Sequence, residues 1–306
     1  MLKLDFSEKS LNVQRNVVCE EFKEHYINRP YGDVWHILRK LVYEKHPYQW
    51  PTIGLELQHV QDATLTDVEN FFYKYYRPNN AILTISGGIS ADNALQLAKK
   101  WFGDIPSGEP FNRNIAMEPE QQAAKFQHVK KDVPVNVIYK AWKMPGRIEP
   151  LYYATNLLSD VLGLGESSRL QHALKKETKL FTDIAAYRTG SIDTGMFIIT
   201  GKLAEGITYE QAEQGIQQEL DKIKQAPITD AELTRVKNTV EMDIASNNTG
   251  VMNKAEMLAI AEMLESADLV NTEIHRYLNV DAASIHTIAQ QLLTAEKCST
   301  LYYGKD

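Results

Sequence analysis

Two stretches of this 306-residue chain close in the same way. "TLTDVENFFYKYYRPNNAILTISG" ends on Gly87, and "DAASIHTIAQQLLTAEKCSTLYYG" ends on Gly304, 217 residues further on. Each reads as a capped helix, a short break and an apolar strand stopped by glycine. A second match, "RNVVCEEF" (Arg15–Phe22) against "KNTVEMDI" (Lys237–Ile244), runs at a nearly equal offset of 222. A repeat of this length constrains the fold strongly, because both copies must build the same supersecondary unit.

The second copy begins near Lys125, well over a hundred residues before Lys237, whereas only fourteen residues precede Arg15. The part that carries most of the second copy's strands thus has no counterpart in the first. Half an α/β unit leaves its sheet face uncovered and is marginal alone. The first unit is therefore expected to lean on another polypeptide, on a dimer exchange, or on residues lost from a truncated gene. Between Asp104 and Lys125 the chain holds three of its eleven prolines and no hydrophobic period, which predicts a linker. The expected organisation is α+β: residues 1–106 as the C-terminal part of a first domain, 107–124 as linker, and 125–306 as a second domain.

Local patterns fill in the elements. Helices are predicted from Ser7 or Ser10 to about Tyr26, over "DVWHILRKLVYEK" with Asp33 as cap, over "TLTDVENFFYKYY", and over "SADNALQLAKKWFG". "HPYQWPTIG" must be loop, and "NAILTISG" reads as a strand. In the second domain the strands are "VNVIYKAWKM", "TDIAAYRTGS", "GMFIITGKL" and "STLYYG". Its helices are "PLYYATNLLSDVLG", one from about Ser167, and four stretches running to about Leu293.

The first helix turns ionisable groups toward its valines. On a helical wheel Glu21 lies within about 60° of Gln14, Val17, Val18, Glu24 and His25. Glu21 and His25 stand at i and i+4, a spacing that lets both reach one metal. A solvated helix edge is the competing reading, although the crowding of Glu20, Glu21 and Glu24 favours a nearby cation. Elsewhere, His46 reads as a packed or capping residue. "GLGESSRL" follows a helix and lacks Walker spacing, so it is not a phosphate loop. A net charge of −7 argues against a nucleic-acid partner. No apolar run approaches the ~20 residues of a membrane span, and the N-terminus carries no secretory signal. Cys19 and Cys298 follow no metal or redox spacing; a reducing compartment, the cytoplasm, is expected, and a single disulfide stays open.

"QRNVVCEEF", "RPYGDVWHILRKLVYEKHPYQWPTIG", "ATLTDVENFFYKYYRPNNAILTISG" and "LLSDVLGLGESSRLQHALKKE" together resemble the pitrilysin/insulinase family of zinc peptidases. The nearest likeness is the bacterial branch similar to mitochondrial processing peptidase. The resemblance covers almost the whole chain, and it implies two similar α/β sandwich domains closing around a peptide. In that family zinc is held by the two histidines of H-x-x-E-H and by a downstream Glu. By match that Glu falls on Glu21, Glu24 takes a nearby acidic position, and a second helix acid that assists catalysis is replaced by Gln14. The substrate-holding Arg and Tyr of the second domain match Lys175 and Thr182; Lys keeps the charge but not the bidentate fork. The glycine-rich "GLGESSRL" is implied to be an interdomain loop beside the peptide chamber, where a strand edge suits an extended peptide.

H-x-x-E-H itself is missing: the eight histidines include no pair four residues apart. A zinc hydrolase needs three protein ligands and an open fourth position. The expectation is therefore a zinc endopeptidase of this family that is inactive as this chain alone. Zinc belongs to the completed family site and does not bind tightly here. The alternative is a non-catalytic peptide-binding subunit that pairs, as a homo- or hetero-oligomer, with an active peptidase-family chain.

Overall fold

The computed structural model describes residues 4–110 and 113–305. Its chain divides into two compact units, Met1–His36, Trp50–Ala116 and Asn247–Val270 in one, and Ile37–Gln49, Met117–Ser246 and Asn271–Asp306 in the other.

The second unit is built on one five-stranded mixed sheet. Its strands are β1 (Lys125–Lys130), β2 (Val137–Met144), β3 (Phe181–Arg188), β4 (Gly195–Leu203) and β5 (Cys298–Gly304), in the order β1-β5-β2-β4-β3. β1 and β5 run parallel and every other neighbour pair is antiparallel. Successive residues of a strand face opposite ways. Ile138, Trp142, Phe197 and Ile199 join a core with helices α6 (Tyr152–Gly163), α7 (Tyr209–Gln225), α8 (Asp230–Asn247) and α11 (Ala282–Leu292). Val137, Ala141, Met196, Ile198 and Leu301 point the other way and are buried as well. A sheet covered on both faces explains why "GMFIIT" reads as a continuous apolar run rather than an alternation.

A carboxylate fastens the incoming segment of this unit. Glu118 accepts from the backbone N–H groups of Glu44, Lys45 and His46 at 2.9, 3.0 and 2.9 Å, and from Lys143 Nζ at 2.6 Å. His46 is buried, with Nε2 2.9 Å from Asp193 and Nδ1 accepting from the Tyr48 N–H. It is thus the packed residue that its prolines and aromatic neighbours suggest.

The first unit is helical throughout its described residues: α1 (Glu8–Phe22), α3 (Leu57–Gln61), α4 (Leu65–Tyr75), α5 (Ala91–Phe102) and α9 (Val251–Leu264). Thr64 and Asp67 form a reciprocal capping box at the start of α4, and Ser90 caps α5. The repeat survives in three dimensions. α4 and α11 have eleven residues each, begin after the side-chain caps Thr64 and Asp281, and keep the 217-residue offset at both ends. The closing glycines also match, with φ of +146° at Gly87 and +155° at Gly304.

Three elements differ from expectation. "NAILTISG" starts out extended, with Ala81 at φ −139° and ψ 146°, but joins no ladder, because its unit contains no other strand among the described residues. β1, "KFQHVK", was not expected. It is a partly exposed edge strand with two apolar residues in six, so it lacks the hydrophobic alternation that marks strands. Five helices rather than four follow β4: α7, α8, α9, α10 (Leu269–Leu278) and α11.

Candidate functional site

Ser7 caps α1, its hydroxyl accepting from the Ser10 N–H at 3.2 Å. Cys19 and Phe22 are buried on the inward side. The Phe22 ring packs near Tyr26 and His36, with centroids 5.4 and 5.5 Å away. Arg15 donates to the carbonyls of Gln61 and Ala63 at 3.0 Å each and to the Asn12 side chain, tying α1 to the corner between α3 and α4. The orientation of α1 is therefore set by packing and by one guanidinium.

That orientation leaves Gln14, Glu21, Glu24 and His25 exposed. Glu20 pairs with Lys23 at 2.7 Å, whereas Glu21 takes no hydrogen bond or ion pair from the described residues. Beyond Phe22 the winding widens. Lys23–Ile27 form a π-turn closed by the Asn28 N–H on the Lys23 carbonyl at 2.8 Å. The i, i+4 spacing that aligns Glu21 with His25 holds only in an α-helix, so His25 does not keep that place. Such turns recur at functional sites and have no clear sequence signature.

Among the described residues no group of three or more His, Cys, Asp or Glu side chains is arranged to hold a metal ion. A catalytic zinc needs three protein ligands. Glu21, Glu24 and His25 do not converge in that way, so the residues described here do not fit zinc by themselves.

At the 222 offset the counterpart of Glu21 is Asp243 on α8. There the second unit carries a charge cluster in which Arg188, Arg235 and Asp243 act on Asp160 of α6. Burial pushes the Asp160 carboxyl up to about 6 from its ordinary value of 3.8, with Asp243 adding to it, against the pull of Arg188, the Ser159 hydroxyl and Arg235. The folded protein therefore binds this proton more tightly than the unfolded chain does. The contribution favours folding fully below pH 3.8, declines as pH rises, and is lost above about 6. The swing is on the order of 2–3 kcal/mol. Asp160→Asn is expected to flatten the fall in urea midpoint between pH 4 and 6.5; an unchanged slope would refute the assignment.

Lys175 lies in a second π-wound turn, Gln171–Glu177, with Nζ 3.4 Å from Glu166; Lys176 reaches the same carboxylate at 3.1 Å. The paired lysines hold the Glu166 carboxyl below its usual range. Thr182 is exposed at a β-bulge between Phe181 and Asp183, its hydroxyl donating to the Lys202 carbonyl at 3.3 Å. The "GLGESSRL" loop is tied to its own unit: Ser168 donates to the Gly165 carbonyl at 2.7 Å, and Arg169 is bidentate on Glu232 at 2.6 and 2.9 Å. Its polar groups are engaged internally, unlike those of a phosphate cradle.

A mixed sheet backed by helices, partly repeated along the chain, with free carboxylates on the first helix, places this protein among α+β peptidase-like chains. A family model described as "Peptidase M16 inactive domain" matches residues 62–240, more than half of the chain. The chain belongs to the peptidase M16 family. It is 25% identical over 305 residues to the zinc protease PqqE of Helicobacter pylori, covering 99% of this chain and 68% of that protein. It is 26% identical over 293 residues to the uncharacterised zinc protease YmxG of Bacillus subtilis, covering 95% of this chain and 70% of that protein. The crystal structure of a protease from Helicobacter pylori superposes with a TM-score of 0.92 at 26% identity, covering 99% of this chain and 74% of that one.

Proposed function

We propose that this chain is the larger part of a two-domain zinc endopeptidase that cleaves peptides inside a chamber, and that it is inert until histidines from another polypeptide meet Glu21. Residues 1–106 then form the C-terminal part of the zinc-bearing domain, 107–124 the linker and 125–306 the second domain. The supporting observation is the state of Glu21: an exposed carboxylate without a partner among the described residues, on a helix otherwise locked in place. The zinc proteases to which the chain is similar give the reading its chemistry. Lys175 is the candidate substrate contact, releasing Glu166 to meet a peptide carboxylate or carbonyl. Both cysteines are free and buried, which favours a reducing compartment such as the cytoplasm. No helix among the described residues is long and apolar enough to cross a membrane.

The departures at Gln14, Lys175 and Thr182 favour a second reading, a non-catalytic subunit that helps an active relative enclose its peptide. Zinc titration separates the two. The isolated chain is expected to take up no stoichiometric zinc and to cleave no peptide. Assembled with a chain that supplies two imidazoles and a glutamate, it is expected to bind one zinc, and Glu21→Gln to weaken that binding at least about tenfold without changing stability. Zinc bound equally well by the Glu21→Gln assembly would support the non-catalytic reading instead. One zinc per isolated chain would overturn both.

A further inference from the structure

The repeat makes a detailed comparison possible between β5 and its counterpart, residues 81–87. β5 is buried along its whole length, parallel to β1 on one side and antiparallel to β2 on the other. Residues 81–87 follow a helix of the same length at the same offset and end in a glycine of the same unusual φ. Their side chains nevertheless face solvent: Ile82, Leu83 and Ile85 are 43%, 54% and 45% exposed. The preceding helices show the same contrast, with Phe71 on α4 57% exposed and its counterpart Ile288 on α11 only 4%.

The backbone agrees. Between residues 81 and 87 no ladder partner exists among the described residues. The segment is held by the Ala81 N–H on the Pro78 carbonyl and by Thr84 Oγ1, which donates to the Ala255 carbonyl at 2.8 Å. A row of open N–H and C=O groups beside exposed Ile and Leu is a template for strand addition.

We propose that Ala81–Gly87 is the central strand of a sheet completed by a separate peptidase-family polypeptide carrying a counterpart of β1 through β4. That partner lays one strand parallel and one antiparallel to residues 81–87, and its own helices cover Phe71. A second copy of this chain is a poor occupant, because its β1 and β2 are already paired with its own β5. The Helicobacter pylori relative has about a third of its length beyond what this chain spans, so the family has room for such a segment. The inference rests on the partner named in the proposed function and adds where and how that partner docks.

The test is co-expression of this chain with the part of the Helicobacter pylori relative that it does not span, read by hydrogen exchange on the purified complex. The expected result is an equimolar complex in which the amides of residues 82–87 exchange at least about 100-fold more slowly than in the chain alone. Leu83→Pro is expected to abolish that complex while leaving exchange in β2, β4 and β5 unchanged. Leu83→Lys, at a position exposed in the isolated chain, is expected to weaken it without disturbing the fold. Absence of a complex, a complex without slowed exchange at 82–87, or slowing in the chain alone that grows with concentration would each overturn the proposal. A complex with protected amides but no zinc leaves the strand inference standing and removes the peptidase reading; zinc bound without that protection does the reverse.

Discussion

Gly163→Ala is expected to destabilise the five-stranded unit by about 3 kcal/mol or more. Gly163 is the last residue of α6, and a Cβ there would lie 1.8 Å from the Ala186 nitrogen and 2.5 Å from the Ala186 Cα on β3. Both are backbone atoms of a sheet strand, so neither gives way through a rotamer change. Helix propensity favours alanine over glycine by at most ~1 kcal/mol, which is too little to reverse the sign. The end of α6 must lift from the sheet and open the contacts of Leu162 and Val161, both fully buried. Gly206→Asn is the control, since Gly206 has φ +78° with open space for 4 Å around the place a Cβ would take, and asparagine tolerates that conformation. Because a chain with two units need not unfold in one step, exchange at the β4 amides is the appropriate measurement. Equal protection in the alanine and parent proteins would show that α6 and β3 are not in close contact.

Glu118→Ala is expected to cost about 3–5 kcal/mol in the same unit. The side chain is completely buried, and removing it strands three backbone N–H groups and the Lys143 ammonium, itself only 9% exposed. Burial raises the Glu118 carboxyl, but the hydrogen bonds from Lys143 and from the N–H groups of residues 46, 45 and 44 outweigh it and hold the group down at about 2. With the folded value below the ordinary 4.5, the stabilisation is fully present above pH 4.5 and is lost as pH falls toward 2. Acid unfolding of the alanine variant should therefore lack this component. Glu118→Gln keeps an acceptor oxygen and is expected to recover part of the loss. A midpoint within about 0.5 kcal/mol of the parent for Glu118→Ala would mean that the segment 44–46 is held by other contacts.

Much of the architecture was legible because periodicity and caps are local. "TLTDVENFF" carries its own capping box, "GMFIIT" its own burial on two faces, and the 217 offset set α4 against α11 before any coordinates. Pairing is not local. "NAILTISG" has the composition of a strand, yet a strand needs neighbours, and its unit supplies none among the described residues. β1 shows the converse, a polar edge made into a strand by β5 alone. At the candidate site, the helix carrying Glu21 was readable, whereas the widening at Lys23 was not, since nothing in "KEHYI" distinguishes an i+5 closure from an i+4 one. Glu118 was missed for a different reason. A carboxylate among prolines looks like linker until the N–H groups of residues 44–46, more than seventy positions earlier, turn toward it.

The strand order has a consequence for how the protein is made. β2, β3 and β4 leave the ribosome within about seventy residues of one another and can pair at once, but the place between β1 and β2 belongs to β5, which emerges almost a hundred residues after β4. Until then the inner edge of β2, with Val137, Ala141 and Trp142, has no neighbour and is open to wrong strands, while a loop of that length makes the closing contact slow. The nascent chain should thus depend on holdase chaperones during that interval, and a ribosome stalled before Cys298 should carry a sheet still open at its centre.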